Sequence, residues 1–170
     1  GWTKEAKLES RAVEQGDRFG SSLLLYDGTA LVGTERVNRF VGAVFAFDRD
    51  EESGDWGDSY TLQPFDAIQQ TRFGMHMAAV DDELWVGAMG VNGFAGAVYR
   101  FSRDEDGGWT SAEKLVAGDL QGSDVFGLTF DVEDDVAAVA APNSDSGLGS
   151  VYVFERDASG AWKTQKEFYT

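Results

Sequence analysis

Histidine occurs once in this 170-residue chain, at position 76, cysteine is absent, and thirty carboxylates stand against fourteen basic side chains. Those counts decide which chemistry is open. Without cysteine there is no disulfide framework, thiolate metal site, iron–sulfur ligation or cysteine nucleophile. A general-base histidine needs a neighbouring nucleophile and an orienting acid. No glycine-flanked nucleophile elbow accompanies Gly74-Met75-His76-Met77-Ala78, so His76 reads as a hydrogen-bonded interior residue. Carboxylate pairs are too abundant to mark an acid–base site. No catalytic residue and no cofactor are expected, and the chain reads as non-enzymatic.

Calcium would need about 6–8 oxygen ligands and a loop long enough to wrap the ion. Tyr26-Asp27-Gly28, Val80-Asp81-Asp82 and Glu133-Asp134-Asp135 are hairpin turns too short for that. Asp50, Glu52, Asp104 and Asp106 form the next acidic clusters and are weak cation candidates; acidic hairpin tips are ordinarily solvated turns, and no metal is expected. Ligand binding is better sought in the segments 35–40, 89–94 and 143–148, which differ from one another. Arg36, Asn38, Arg39 and Phe40, then Asn92 and Phe94, then Asn143 and Asp145 combine guanidinium, carboxamide and aromatic groups of the kind that anchor interfaces. The competing reading is plain loop variation.

The elements that would position these residues follow from a repeat. Trp2, Trp56, Trp109 and Trp162 are spaced by 54, 53 and 53 residues, a period in the range of propeller and solenoid arrays. The same offset carries Leu8 to Leu62 and Leu115, Phe19-Gly20 to Phe73-Gly74 and Phe126-Gly127, and Gly42-Ala43-Val44-Phe45-Ala46-Phe47 to the runs that start at Gly96 and Gly149. Each copy holds four runs of β-branched, aromatic and small apolar residues divided by Gly, Asp, Asn and Ser clusters, the signature of strands and turns. In the first copy these are 19–25, 29–34, 42–48 and 56–62. The third run is apolar on both faces and must be covered on both sides. Stacked four-stranded antiparallel sheets answer that demand, which makes the expected fold an all-β propeller segment of three blades, about 18–62, 72–115 and 126–168, plus an extra outer strand at 2–8. The segments 35–40, 89–94 and 143–148 then link second to third strands on one face. The recurring tryptophans read as packing between blades, with sugar stacking as the alternative.

The order Trp, Lys-Leu, Gly16-Asp17-Arg18-Phe19-Gly20, Val86-Gly87-Ala88 and Gly149-Ser150-Val151-Tyr152-Val153-Phe154 resembles the FG-GAP repeat of integrin-α-like propellers. The resemblance covers the whole chain. The copies drift: Gln70-Thr71-Arg72 and Ser123-Asp124-Val125 replace Gly16-Asp17-Arg18, and Ala140-Ala141-Pro142 replaces the Gly-Ala pair. The resemblance implies a binding scaffold displayed extracellularly or on a cell or particle surface, as in adhesion receptors and some lectins. The calcium loop of many integrin-like repeats is missing from the first turn of each copy.

A net charge of −16 is the wrong sign for gripping nucleic acid phosphates or anionic lipid. Neither is expected as a partner. The acidic excess fits a saline habitat or ordinary solubility. No apolar run reaches the roughly 18 residues of a membrane span, and Gly1-Trp2-Thr3-Lys4 lacks the apolar core of a signal peptide. Closed propellers have about 4–8 blades, so three blades expose end faces. Those faces are expected to be covered by a second copy, most simply as a dimer, or by further blades of a longer chain. The functional expectation is an adhesion module with a protein or glycan ligand; a lectin or a purely structural surface component are the alternatives.

Overall fold

The computed structural model describes residues 6–169, with 111–112 and 165–169 described as backbone alone. Twelve strands form three four-stranded antiparallel sheets, each a simple meander in chain order. Sheet I comprises β1 (Ser22–Tyr26), β2 (Thr29–Thr34), β3 (Ala43–Asp48) and β4 (Tyr60–Leu62). Sheet II comprises β5 (Phe73–Val80), β6 (Glu83–Ala88), β7 (Val98–Arg103) and β8 (Trp109–Leu115). Sheet III comprises β9 (Phe130–Glu133), β10 (Val136–Ala141), β11 (Ser150–Arg156) and β12 (Trp162–Tyr169). Two-residue turns close the first hairpin of each sheet, with Tyr26 opposite Thr29, Val80 opposite Glu83 and Glu133 opposite Val136. At Asp27-Gly28 both φ angles are positive, 46° and 75°, the geometry that matches the twist of the flanking strands.

Three expected strand limits shift, one of them in the third copy, where the strand expected from 126 begins at Phe130. The first strand of sheet I starts at Ser22, because Gly20 takes φ 87° and bends the chain before the ladder begins. The fourth is only Tyr60–Leu62. Trp56 keeps a lone antiparallel bridge to Arg49, and the Gly57-Asp58-Ser59 run that follows has neither the β-branching nor the apolar surface to hold a strand. The outer strand expected over 2–8 lies outside the described residues for positions 2–5. Its described end, 6–8, carries no strand.

Burial explains why the third strand of each repeat is so apolar. Val44 and Ala46 enter the core shared by sheets I and II, with Leu31, Phe73, Leu84, Val86, Tyr99 and Phe101. Phe45 and Phe47 face the other way and pack under Leu8, Val13 and Phe19 of the N-terminal segment. A second shared core joins sheets II and III through Trp85, Val98, Phe126, Phe130, Tyr152 and Phe154. Each such buried aromatic contributes roughly 1.5–3 kcal/mol of apolar burial. Trp109 and Trp162 are buried as well, and Trp162 meets Trp85 edge to face at 4.8 Å. Their packing role excludes them as exposed sugar platforms.

The sheets are also joined through the main chain. Gly42 bridges Phe73 and Gly96 bridges Phe126, each in parallel sense. The amide of Phe73 donates to Val41 O at 2.9 Å, and that of Phe126 to Ala95 O at 2.9 Å. A Cβ on Gly42 would lie 2.1 Å from Phe73 O, and one on Gly96 2.1 Å from Phe126 O. Only glycine admits an approach so close. The Phe-Gly pair of one repeat thus docks on the Gly-Ala pair of the preceding one.

Candidate functional site

Second and third strands are linked on one face by three helical turns, α1 (Val37–Phe40), α2 (Val91–Phe94) and α3 (Ser144–Gly147). The first residue of each is buried and anchors the turn. The next three reach left-handed φ in every copy: 54°, 61° and 65° at Asn38, Arg39 and Phe40; 49°, 68° and 68° at Asn92, Gly93 and Phe94; 49°, 59° and 91° at Asp145, Ser146 and Gly147. This conformation costs an ordinary residue about 1–2 kcal/mol, and Asn and Asp tolerate it best. The recurring Asn38, Asn92 and Asp145 therefore have a backbone reason for their positions as well as an exposed polar group.

Arg36, Phe40 and Phe94 come together around a residue that sequence reasoning missed. The Arg72 guanidinium lies 5.2 Å from the Phe40 ring centroid and 5.3 Å from that of Phe94, and Arg36 stands 5.9 Å over Phe40. Arg72 reaches this place because its amide donates to Phe40 O at 2.9 Å, one rung of the joint between sheets I and II. Its homologue in the first repeat, Arg18, contacts Glu35 at 3.3 Å, as does Arg36 through Nε at 3.4 Å. Burial alone would raise the Glu35 carboxyl, but its backbone hydrogen bond, Ser21 and Arg18 hold it below the ordinary range. The signal that would have found Arg72 was its alignment with Arg18 in the drifting Gly16-Asp17-Arg18 segment.

The other expected residues do not join this stack. Asn38, Arg39 and Asn92 stand exposed on α1 and α2. Asn143 is exposed before α3, its amide donating to Asp124 O at 3.3 Å. Asp145 lines a separate acidic cleft with Asp119, Gln121, Asp124 and Tyr152. The loop face is therefore divided: cationic and aromatic across sheets I and II, acidic at sheet III.

The hairpins on the opposite side hold the weak cation candidates. Asp50 Oδ1 accepts the amides of Glu52 and Ser53, and Asp104 Oδ1 those of Asp106 and Gly108. These bonds, Ser53 first, hold the Asp50 carboxyl below its usual range. Asp50 and Asp104 are thus turn-forming groups through Oδ1, while Glu52 and Asp106 stand exposed on the same hairpins. Among the described residues no group of three or more His, Asp or Glu side chains is placed to hold a metal ion. His76 lies half-buried, its Nε2 donating to Phe130 O at 2.8 Å and its ring edge-on to Phe130.

Residues 109–154 match the FG-GAP repeat family. No curated protein matches the chain. The matched segment runs from β8 into β11 and contains the Phe126-Gly127 half of one joint, whose other half, Gly96-Ala97, precedes it. The FG-GAP landmarks recur at the same offset in the other two copies, where the Gly42–Phe73 bridge reproduces the same geometry. No described helix is long and apolar enough to cross a membrane.

Proposed function

We propose that the three sheets are blades of a β-propeller and that the chain is a non-enzymatic binding and adhesion module, displayed extracellularly or on a cell or particle surface. The observation that carries this reading is the Arg36–Phe40–Arg72–Phe94 stack, an interface-like cluster built on the loop face by the joint between two repeats. The FG-GAP match supports the scaffold. A protein ligand is favoured over a glycan because Trp109 and Trp162 are buried and Trp56 is half-buried in packing. The test uses the absence of native cysteine: Asn92→Cys on the loop face and Asp106→Cys on the hairpin face are each coupled to a bulky maleimide. Binding to arrays of surface proteins and glycans is then compared with that of unlabelled protein. Loss of binding through Asn92→Cys alone supports the reading, and loss through Asp106→Cys alone overturns it.

The same reading assigns the end faces to a second copy. Leu23 is 71% exposed where its register equivalents Met77 and Phe130 are buried against the preceding sheet, and Leu25 is 75% exposed where Ala79 is half-buried and Val132 buried. At the other end Val151 is 40% exposed where Val44 and Val98 are fully buried. These faces are the two halves of a joint that the chain already makes twice. A head-to-tail second copy completes it at both ends and yields six blades, within the closed range of about 4–8.

A further inference from the structure

The loop-face reading leaves the ligand unnamed, and Arg72 narrows it. Arg18 and Arg36 are paired with Glu35, Arg100 with Glu83 and Glu113, Arg103 with Asp27, and Arg156 with Asp81 and Asp135. Arg72 has no such pair among the described residues; Arg11 and Arg39 lack one too but stand exposed on the surface, whereas Arg72 is half-buried. Its Nε is buried without a hydrogen-bond acceptor, in a chain of net charge −16. The Phe40 and Phe94 rings both lie within cation–π distance of the guanidinium carbon, and neither supplies a counter-ion to its charge.

A planar fork fixed in this way fits a planar anion that accepts two parallel N–H···O bonds. A carboxylate has that shape. A phosphate dianion would meet more repulsion from the surrounding acidic field. Exposed carboxamides at Asn38 and Asn92 flank the stack and match the donors and acceptors of a peptide main chain. Of the recurring tryptophans, Trp109 and Trp162 are buried and Trp56 is half-buried against the Phe45 and Phe47 cluster.

We infer that Arg72, held between Phe40 and Phe94, is the anchor for an Asp or Glu side chain of a protein partner, an assignment that rests on the loop-face reading. The experiment follows the Arg72 Nε–H resonance and the side-chain amides of Asn38 and Asn92 by 1H–15N NMR. The probe is the peptide acetyl-Ala-Glu-Ala-amide, with acetyl-Ala-Gln-Ala-amide, glucuronate and inorganic phosphate as separate arms. The expected result is a saturable shift of Arg72 with the Glu peptide, at a Kd on the order of millimolar for so small a probe. No saturation is expected with the Gln peptide. Arg72→Lys keeps the charge and loses the fork, and should weaken binding at least about fivefold. Phe94→Leu, which removes one wall of the clamp, should weaken it in the same direction. Should either variant fail to fold, the Glu and Gln arms on the unaltered chain still decide. A motionless Arg72 resonance, an equal response to the Gln peptide, or tighter binding of glucuronate or phosphate overturns the assignment. If the Asn38 and Asn92 amides move while Arg72 does not, the carboxylate anchor fails and the loop face stands.

Discussion

Replacing Gly96 with alanine tests the joint that organises the molecule. Gly96 has φ 94°, and an added Cβ would sit 2.1 Å from Phe126 O and 2.5 Å from Phe126 N. Both atoms are main chain and cannot swing away, so β9's leading segment must separate from α2. That separation removes the Phe126 N–H bond to Ala95 O at 2.9 Å and the Val125 N–H bond to Phe94 O at 2.8 Å, worth about 1 kcal/mol each. Left-handed strain on alanine adds about 1 kcal/mol. The total is about 3 kcal/mol, a large share of a domain stability of about 5–15 kcal/mol. Gly93→Ala is the control: it also has positive φ, 68°, but nothing lies within 4 Å of its Cβ, so it should cost only about 1 kcal/mol. Urea unfolding of both variants with linear extrapolation measures the difference. Equal losses would refute the claim that close backbone approach, and not left-handed strain, makes glycine necessary at position 96.

Three further outcomes are expected. Asp66 accepts Tyr99 OH at 2.6 Å and Lys114 Nζ at 2.8 Å; burial opposes its ionisation, yet these bonds hold its carboxyl below the ordinary range. The folded state therefore binds this proton less readily than the unfolded one, and the stability it contributes is present above the unfolded pKa and lost as pH falls through the folded value. Asp66→Asn should flatten the acid limb of a Tm-against-pH profile, and an unchanged limb would count against the bond. Raising sodium chloride to molar levels should raise Tm by screening the repulsion of a −16 chain; a flat or falling Tm in calorimetry would remove that cause. Light scattering at micromolar concentration should give twice the chain mass, and Leu23→Lys, at an exposed end face, should return it to the monomer; a well-folded monomer before substitution would sink the head-to-tail assignment.

The sheet order was legible in sequence because a period with three copies averages out local ambiguity. Trp109 and Trp162 recur, and recurrence pointed correctly to packing. The double-faced apolarity of Val44, Phe45, Ala46 and Phe47 likewise matched burial on both sides of β3. The limits of β1 and β4 were not legible, since Gly20 and Gly57 end ladders through local φ and lost packing that alternation does not record. The site was legible only in part. Arg36, Phe40 and Phe94 were named from loop composition, but Arg72 is brought to them by a main-chain bond to Phe40 that crosses from one repeat to the next. The left-handed turns were hidden because Arg39, Phe40 and Ser146 give no residue-type hint of positive φ.

The joint between sheets is written in amide, carbonyl and glycine, which has a consequence for how such chains change over generations. Positions 16, 70 and 123 hold φ of 101°, 71° and 78°, and positions 18, 72 and 125 hold 63°, 54° and 52°. The residues there are Gly, Gln and Ser, then Arg, Arg and Val. The coupling at these positions reads main-chain shape, so the side chains there can differ between copies while the shared cores keep their apolar residues. An exchanged repeat would keep these main-chain contacts but would still have to match the aromatic cores shared with its neighbours. Side chains along the outer loops are freer to differ, and the arginines at positions 18 and 72 beside the valine at position 125 are one instance.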